Sequence, residues 1–285
     1  MNKQRFTVGI VGLGLIGGSM ARAFAASGHR VLAMEKSEET LARAMSDGVV
    51  SAVLDQKNVG ECDLLLLAVY PAVAIAVLES LAEAIPPSTV VMDLCGTKRR
   101  VCHACEAIAA RHGFPFVGGH PMAGTQFSGY ENSRANLFCG APMVLVFSSE
   151  DPELRARVRA LLAPVGFGSY AETSAEAHDR VIAFTSQLAH VVSNAYVKSP
   201  QAQVHHGFSA GSYRDLTRVA WLNEHMWCEL FLENRDFLAE EIEHIIKALG
   251  EYRAALLSGD GDTLTALLRK GRIAKENADK DGEES

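Results

Sequence analysis

The sequence predicts an α/β fold, a doubly wound and mainly parallel sheet followed by an all-helical domain. Three observations carry that reading. Short apolar strands alternate with helical stretches through the first half of the chain. A glycine-rich loop joins the first strand to the first helix. From Ser174 onward the strand signal stops and a period near 3.6 residues takes over.

The first strand spans 6–11 in RFTVGIV and runs through G-x-G-x-x-G at Gly12, Gly14 and Gly17 into an Ala-rich helix that ends near residue 26. A second strand, 30–34, ends at Glu35. A lone glycine triplet is weak evidence. Set between a strand and a helix, with an acidic residue 35 − 12 = 23 positions after Gly12, it is the dinucleotide fingerprint of a Rossmann-type domain. Gly12 makes the tight turn, Gly14 lets a pyrophosphate approach the backbone, and Gly17 lets the helix pack on the strand. Leu15 and Ile16 open the helix whose N-terminus faces the phosphates. Glu35 is placed to accept hydrogen bonds from ribose hydroxyls, and its charge repels a 2′-phosphate. NAD is therefore expected and NADP less so, Lys36 being the basic neighbour that could tolerate the extra phosphate.

Further strands follow at 63–69, 89–93, 115–117, 142–147 and near 167–170, with helices at 72–84, 99–112 and 152–162. Ligands on such sheets bind beyond the carboxyl ends of the strands. AVYP (68–71), DLCGTK (93–98) and GGHPMAG (118–124) all follow strands and should gather on one rim. That puts Val69 and Thr97 beside the cofactor, together with His120. In GGHPMAGTQFSGYE nothing repeats with a packing period. Gly118 and Gly119 allow unusual backbone angles, and Pro121 pushes His120 out of the helical region into an extended conformation. One imidazole is presented on a defined backbone beside a redox cofactor.

The boundary falls near 170. Residues 1–170 form the dinucleotide-binding domain, and 171–285 form a helical substrate and dimerisation domain whose polar tail, ADKDGEES, should fray. The helices are apolar over wide faces, which implies a homodimer built from this half. Gln187, His190 and Asn194 share one helix face, a polar stripe that either meets solvent or lines a site. Arg214 and Arg218 lie one turn apart around Asp215. They form either an anion clamp, since guanidinium grips carboxylate bidentately, or a solvated helix face. Trp227 is by default a core aromatic.

Composition narrows the class further. The 285 residues are 48% hydrophobic and 21% charged, as in a soluble globular protein. A net charge of −7 argues against nucleic acid or a membrane surface as partner. No apolar run approaches the roughly 20 residues of a membrane span, and the start runs straight into a strand without a signal-peptide core, so a cytoplasmic location is expected. Of six cysteines only Cys102 and Cys105 make a C-x-x-C, with no second ligand pair for zinc and no histidine following for haem. They are read as structural thiols, with no metal site.

Together these pieces resemble the prephenate/arogenate dehydrogenase family of tyrosine biosynthesis. The resemblance covers roughly residues 6–250 and rests on five matches in order: GLGLIGGS, DLCGTK, GGHPMAGTQFSG, SQLAH, and YRDLTRVA followed by MWCELFLEN. It implies NAD-dependent removal of hydride from C4 of prephenate with loss of the ring carboxylate as CO2, giving 4-hydroxyphenylpyruvate, or the same reaction on arogenate giving tyrosine. Position by position it makes His120 the hydrogen-bond acceptor or general base for the C4 hydroxyl. Arg218 binds a substrate carboxylate, His190 contacts the substrate, and Gly211 and Trp227 shape the pocket. Arg214 and Asp215 support it.

Two departures from the family pattern stand out. Where the family reads DVGS-x-K, with a serine that bonds the histidine and the cofactor, this chain has Gly96, leaving Thr97 or a water as substitutes. Where the family often carries glutamate after HPMAGT, this chain has Gln126, a substrate contact that keeps a hydrogen bond but not a charge. No acidic residue lies between His120 and Tyr130, with Glu131 just beyond, so nothing there selects the ammonium of arogenate and prephenate is favoured. Two rivals remain. A β-hydroxy acid dehydrogenase would need a catalytic lysine in the helical half, and the surroundings of Lys198 lack that pattern. A non-catalytic NAD-binding regulator is kept alive by Gly96 and opposed by the joint presence of His120, Arg218 and His190.

Overall fold

The computed structural model describes residues 5–125, 127–205 and 207–283. Eight strands, β1 (Thr7–Val11), β2 (Arg30–Met34), β3 (Ala52–Val53), β4 (Leu64–Leu67), β5 (Val90–Asp93), β6 (Phe116–Pro121), β7 (Pro142–Val146) and β8 (Ser169–Glu172), form one sheet in the order β3-β2-β1-β4-β5-β6-β7-β8. Every neighbouring pair is parallel except β6 and β7. The helices between them are α1 (Leu15–Ala26), α2 (Glu38–Ser46), α3 (Pro71–Leu81), α4 (Arg99–His112) and α5 (Pro152–Leu162).

The central strand explains the sheet's rigidity. All four leucines of β4 are fully buried. Leu64 and Leu66 pack on one face with Val8, Ile10, Val90 and Met92, while Leu65 and Leu67 pack on the other with Leu32, Val91 and Leu78. A strand covered on both faces reads as a continuous apolar run rather than an alternating one. Each such leucine contributes about 1.5–3 kcal/mol relative to an exposed one. The register then lines up the carboxyl ends: Val11 is opposite Leu67, Leu67 opposite Asp93, and Asp93 opposite Gly118. The loops beginning at Gly12, Ala68 and Leu94, and the His120 end of β6, therefore share one rim.

Several expectations are corrected. The strand expected at 115–117 continues to Pro121, because Gly118 to Pro121 pair antiparallel with β7, His120 opposite Val144. Neither Gly118 nor Gly119 has a positive φ. Their requirement is room: a Cβ on Gly118 would lie 2.5 Å from Cys102 Sγ, and one on Gly119 would lie 2.7 Å from the Asp93 carbonyl oxygen. Helix α2 and the short β3 were not read from the sequence. Ser37 starts α2 by accepting from the Thr40 N–H at 3.2 Å.

After β8 come α6 (Ala175–Ile182), a π-helical turn over Ala183–Leu188, and α7 (Ala189–Tyr196), in place of one uninterrupted helix. Short helices α8 (Gly211–Thr217) and α9 (Glu224–Glu233) follow. The chain divides into two compact units, Met1–Asn234 and Arg235–Ser285. The second is a hairpin of α10 (Arg235–Ser258) and α11 (Gly261–Glu283), turned at Gly259 with φ +67° and capped by Asp260, whose carboxylate accepts from the Thr263 N–H at 2.9 Å. The tail expected to fray is helical through Glu283, laced by the i,i+4 pairs Arg272–Glu276 and Lys275–Asp279. Leu249, Leu256, Leu257 and Leu268 are exposed on this hairpin. No described helix is long and apolar enough to cross a membrane.

Candidate active site

At the amino end of α1 the three glycines meet three different demands. Gly12 has φ +87°, and a Cβ there would lie 2.5 Å from Val69 Cγ1 and 2.7 Å from the Ala68 carbonyl oxygen. A Cβ on Gly17 would collide with the Gly12 carbonyl oxygen and crowd Ala68 Cβ at 2.9 Å. The third glycine thus seats the helix on its own loop as well as on the end of β4. A Cβ on Gly14 meets nothing within 4 Å. Gly14 caps α1 without a side-chain hydrogen bond, and the first turn, opened by Leu15 and Ile16, holds no acidic residue. An open backbone at a helix N-terminus is what a diphosphate needs.

Glu35 ties this loop to the sheet. Its Oε2 accepts from the Leu13 N–H at 2.7 Å and its Oε1 from the Ser37 N–H at 3.0 Å. A carboxylate has about four lone-pair sites, so two bonds leave acceptor capacity for sugar hydroxyls. Lys36 is exposed. The residues present fit a bound dinucleotide.

His120 is half-buried at the end of β6. Behind it, Asp93 and Lys98 form a fully buried ion pair. Lys98 Nζ also donates to the Gly119 carbonyl at 2.7 Å, and Asp93 Oδ2 accepts from the Cys95 N–H at 2.9 Å. The pair fixes the backbone that carries His120. Burial, the neighbouring His178 and the Lys98 charge all depress His120, holding it well below the usual histidine range. Its imidazole is neutral near pH 7.

The ring is held by two residues that sequence reasoning missed. His120 Nδ1 lies 2.9 Å from His178 Nε2, and His178 Nδ1 lies 2.7 Å from Asp179 Oδ1. Both His178 and Asp179 are buried in α6. Asp179 further accepts the backbone N–H groups of Lys98 at 2.7 Å and Arg99 at 2.9 Å, so it caps α4, which has no capping side chain of its own. Burial pushes Asp179 up, but the His178 bond and the two backbone donors outweigh it and hold the carboxyl below its usual value. The only sequence signal was a His-Asp step shortly after the Ser174 cap, which fits no motif by itself.

Thr97 sits on the rim but does not replace the missing serine. Its hydroxyl donates to Glu233 Oε2 at 2.7 Å. Glu233 also pairs with Arg100 at 3.0 Å. A Cβ at Gly96 would lie 3.5 Å from the Leu230 methyls, an ordinary contact. Helix α9 therefore lies along the rim, with Leu230 against Gly96, Glu233 on Thr97, and Glu229 Oε1 accepting from the Ala72 N–H at 3.4 Å.

The same helix carries Trp227, half-buried and packed on His190 with ring centroids 3.9 Å apart and the planes tilted by 32°. The His190 Nδ1–H donates to the Ser186 carbonyl at 2.9 Å. Burial lowers His190, the Ser186 bond opposes this, and the Arg218 charge lowers it further, so the ring is neutral. Arg218 ends α8 with its side chain exposed, and Gly211 is the first residue of the same helix. His190 thus meets Trp227 and lies within the field of the Arg218 charge. Gln187 does not join them: it is buried, accepting from Asn234 Nδ2 at 2.8 Å and donating to the Leu230 carbonyl at 3.2 Å. The π-helical turn contains Gln187 and puts it out of step with His190, contrary to the expected shared face. Gln126 lies outside the described residues.

Comparison with known proteins gives one consistent picture. Residues 20–170 match the family model "Prephenate dehydrogenase, nucleotide-binding domain", and residues 174–270 match "Prephenate dehydrogenase, dimerization domain". A prephenate dehydrogenase of Bacillus subtilis is 30% identical over 98% of this chain and 77% of its own length. A cyclohexadienyl dehydrogenase of Zymomonas mobilis is 32% identical over 94% of each chain. Among solved structures, a prephenate dehydrogenase from A. aeolicus, in complex with hydroxyphenyl propionate and NAD+, superposes with a TM-score of 0.83 at 25% identity, over 98% of this chain and all of that one.

Proposed function

The chain belongs to the prephenate dehydrogenase family, and on that premise we propose that it catalyses the NAD-dependent oxidative decarboxylation of prephenate to 4-hydroxyphenylpyruvate and CO2. The observation that carries the reading is a neutral, half-buried imidazole, His120, held on the rim that also carries the glycine loop. Bound NAD supplies the hydride acceptor. His120 takes up the C4 hydroxyl proton as that carbon gains carbonyl character, a task suited to an imidazole that is unprotonated at working pH. It returns the proton once loss of CO2 has made the ring aromatic.

Arg218 binds a substrate carboxylate, with His190 and Trp227 as the pocket wall beside it and Gly211 shaping the turn into α8. Residues 1–170 serve the dinucleotide, with Gly12, Gly14, Leu15, Ile16, Gly17, Glu35, Val69 and Thr97 around it. Residues 171–285 serve substrate and a homodimer, a division supported by the two family-model ranges and by the exposed leucines of α10 and α11. NAD rather than NADP is supported by the Glu35 carboxylate, held at the end of β2 where a 2′-phosphate would meet it. Prephenate rather than arogenate is supported by the lack of an acidic residue from His120 to Tyr130, and by Glu131, whose carboxylate folds back over Gly129. The β-hydroxy acid reading loses ground because Lys198 is exposed beyond the end of α7.

Steady-state kinetics of His120→Asn and Arg218→Ala test this. His120→Asn should lower kcat by roughly two to four orders of magnitude, the range for losing a general base. Arg218→Ala should chiefly raise the KM for prephenate. Near-normal kcat in His120→Asn would show that the base assignment is wrong.

A further inference from the structure

We infer that His178 and Asp179 are a positioning pair for His120, fixing it as the Nδ1–H tautomer so that Nε2 is the atom that meets the substrate hydroxyl. The inference rests on the dehydrogenase reading only for what His120 then does. The protonation pattern follows from the bonds themselves. The Asp179 carboxylate is an acceptor, already bonded to the Lys98 and Arg99 N–H groups. The nitrogen 2.7 Å from it, His178 Nδ1, must carry a proton. In a neutral His178 the other nitrogen, Nε2, is then a lone pair. His120 Nδ1, 2.9 Å away, can only be a donor to it. The remaining nitrogen of His120 is left unprotonated. One carboxylate-to-imidazole link and one imidazole-to-imidazole link in series therefore select one of two tautomers that an unheld histidine would populate together.

The pair is anchored independently of His120. Asp179 caps α4 through two backbone donors, lies 3.4 Å from Arg99 Nε, and its own carbonyl accepts from Asn234 Nδ2 at 2.8 Å. His178 is 3% exposed. The titratable groups facing His120 are His178 and Lys98, both of which disfavour a proton, and beyond His178 the Asp179 carboxylate, which favours one. The hydroxyl proton moves to His120 Nε2 as the C4–H bond breaks and its hydride goes to the nicotinamide. The new positive charge then points through His178 to Asp179. When the C1–carboxylate bond breaks, CO2 leaves, its electron pair enters the ring, and the phenolate oxygen takes the proton back. A residue bonded to His120 Nδ1 is also what this chain needs, because Gly96 has no hydroxyl to offer and that of Thr97 is committed to Glu233.

The test compares wild type, His178→Phe and His178→Gln with prephenate and NAD. His178→Phe removes the acceptor and should lower kcat roughly 100-fold, within the span of general-base effects, with both KM values changed less than threefold. His178→Gln, whose Oε1 can accept from His120 Nδ1–H, should recover to within tenfold of wild type. A His178→Phe kcat within threefold of wild type, or a Gln variant as poor as Phe, would overturn the proposal. The second readout needs neither turnover nor a variant of His178. In 15N-histidine NMR of the wild-type protein, with His120 assigned by its loss in His120→Asn, the expected tautomer has Nδ1 protonated and Nε2 bare. The reverse tautomer overturns the pair's role. A correct tautomer without prephenate turnover would sink the substrate reading and leave the positioning intact.

Discussion

Replacing Lys98 with Met removes a buried cation while keeping most of the volume of its stem. Lys98 and Asp93 are both fully buried, and the Lys98 ammonium bridges the Asp93 carboxylate and the Gly119 carbonyl. In Lys98→Met the carboxylate keeps the Cys95 N–H at 2.9 Å and the long 3.4 Å contact with the Gly119 N–H, but no counter-charge. Breaking a buried ion pair from one side costs about 3–5 kcal/mol. Against a total stability of about 5–15 kcal/mol, that leaves a marginal protein. Adding Asp93→Asn should return a large part of the loss, because the penalty is the orphaned charge rather than the absent attraction. Urea unfolding of wild type, both single variants and the double variant measures this as a coupling of about 2 kcal/mol or more with an unchanged m-value. A single-variant loss below about 1 kcal/mol would refute the reasoning. In Lys98→Met protein that stays folded, His120 also loses a nearby positive charge, so the acid limb of kcat/KM should move to higher pH.

Three further outcomes follow from the site. Glu35→Gln should raise the NADP-to-NAD ratio of kcat/KM by about fivefold or more, since a unit repulsion at about 4 Å is worth about 1–4 kcal/mol between water-like and protein-surface dielectric; an unchanged ratio would exclude Glu35 as the discriminator. Gly14→Ala should leave the melting temperature within a few degrees of wild type yet weaken NAD binding in calorimetry, whereas Gly17→Ala should destabilise the fold itself, because its methyl collides with the Gly12 carbonyl. Stability should fall as pH drops below about 6.5, the ordinary histidine value. Burial first, with nearby positive charge, holds folded His120 and His190 below that value, so the unfolded chain binds more protons there. Asp179 adds a second loss at lower pH, as acid reaches its depressed folded value. Denaturant melts between pH 2 and 8 check both signs, and His120→Asn should flatten the upper part of the curve.

The sheet was legible because each signal was local. Strand, glycine loop, helix and acidic residue lie within Phe6 to Glu35, and the leucines of β4 announce a strand covered on both faces. What was not legible depends on partners distant in sequence. His120 belongs to β6 because β7 pairs with it, although GGHP is a poor strand by itself. Gly118 and Gly119 are there for Cys102 and Asp93, not for unusual backbone angles. Thr97 is turned to Glu233, 136 residues away, and Gln187 to Asn234, 47 away. His178 and Asp179 carry no motif: their role exists only because α6 docks its first turns against the start of α4 and the end of β6. The family resemblance could point to His120, His190 and Arg218, but not to the pair that holds His120.

The most direct test of the central claim is a four-way rate measurement. Purified protein is offered prephenate or arogenate with NAD or NADP, and formation of the reduced nicotinamide is followed by absorbance. The account predicts rapid turnover with prephenate and NAD, one CO2 released per reduced cofactor, and slower rates in the other three combinations. Tight NAD binding without turnover in any combination would contradict it and leave a nucleotide-binding protein that is not a dehydrogenase.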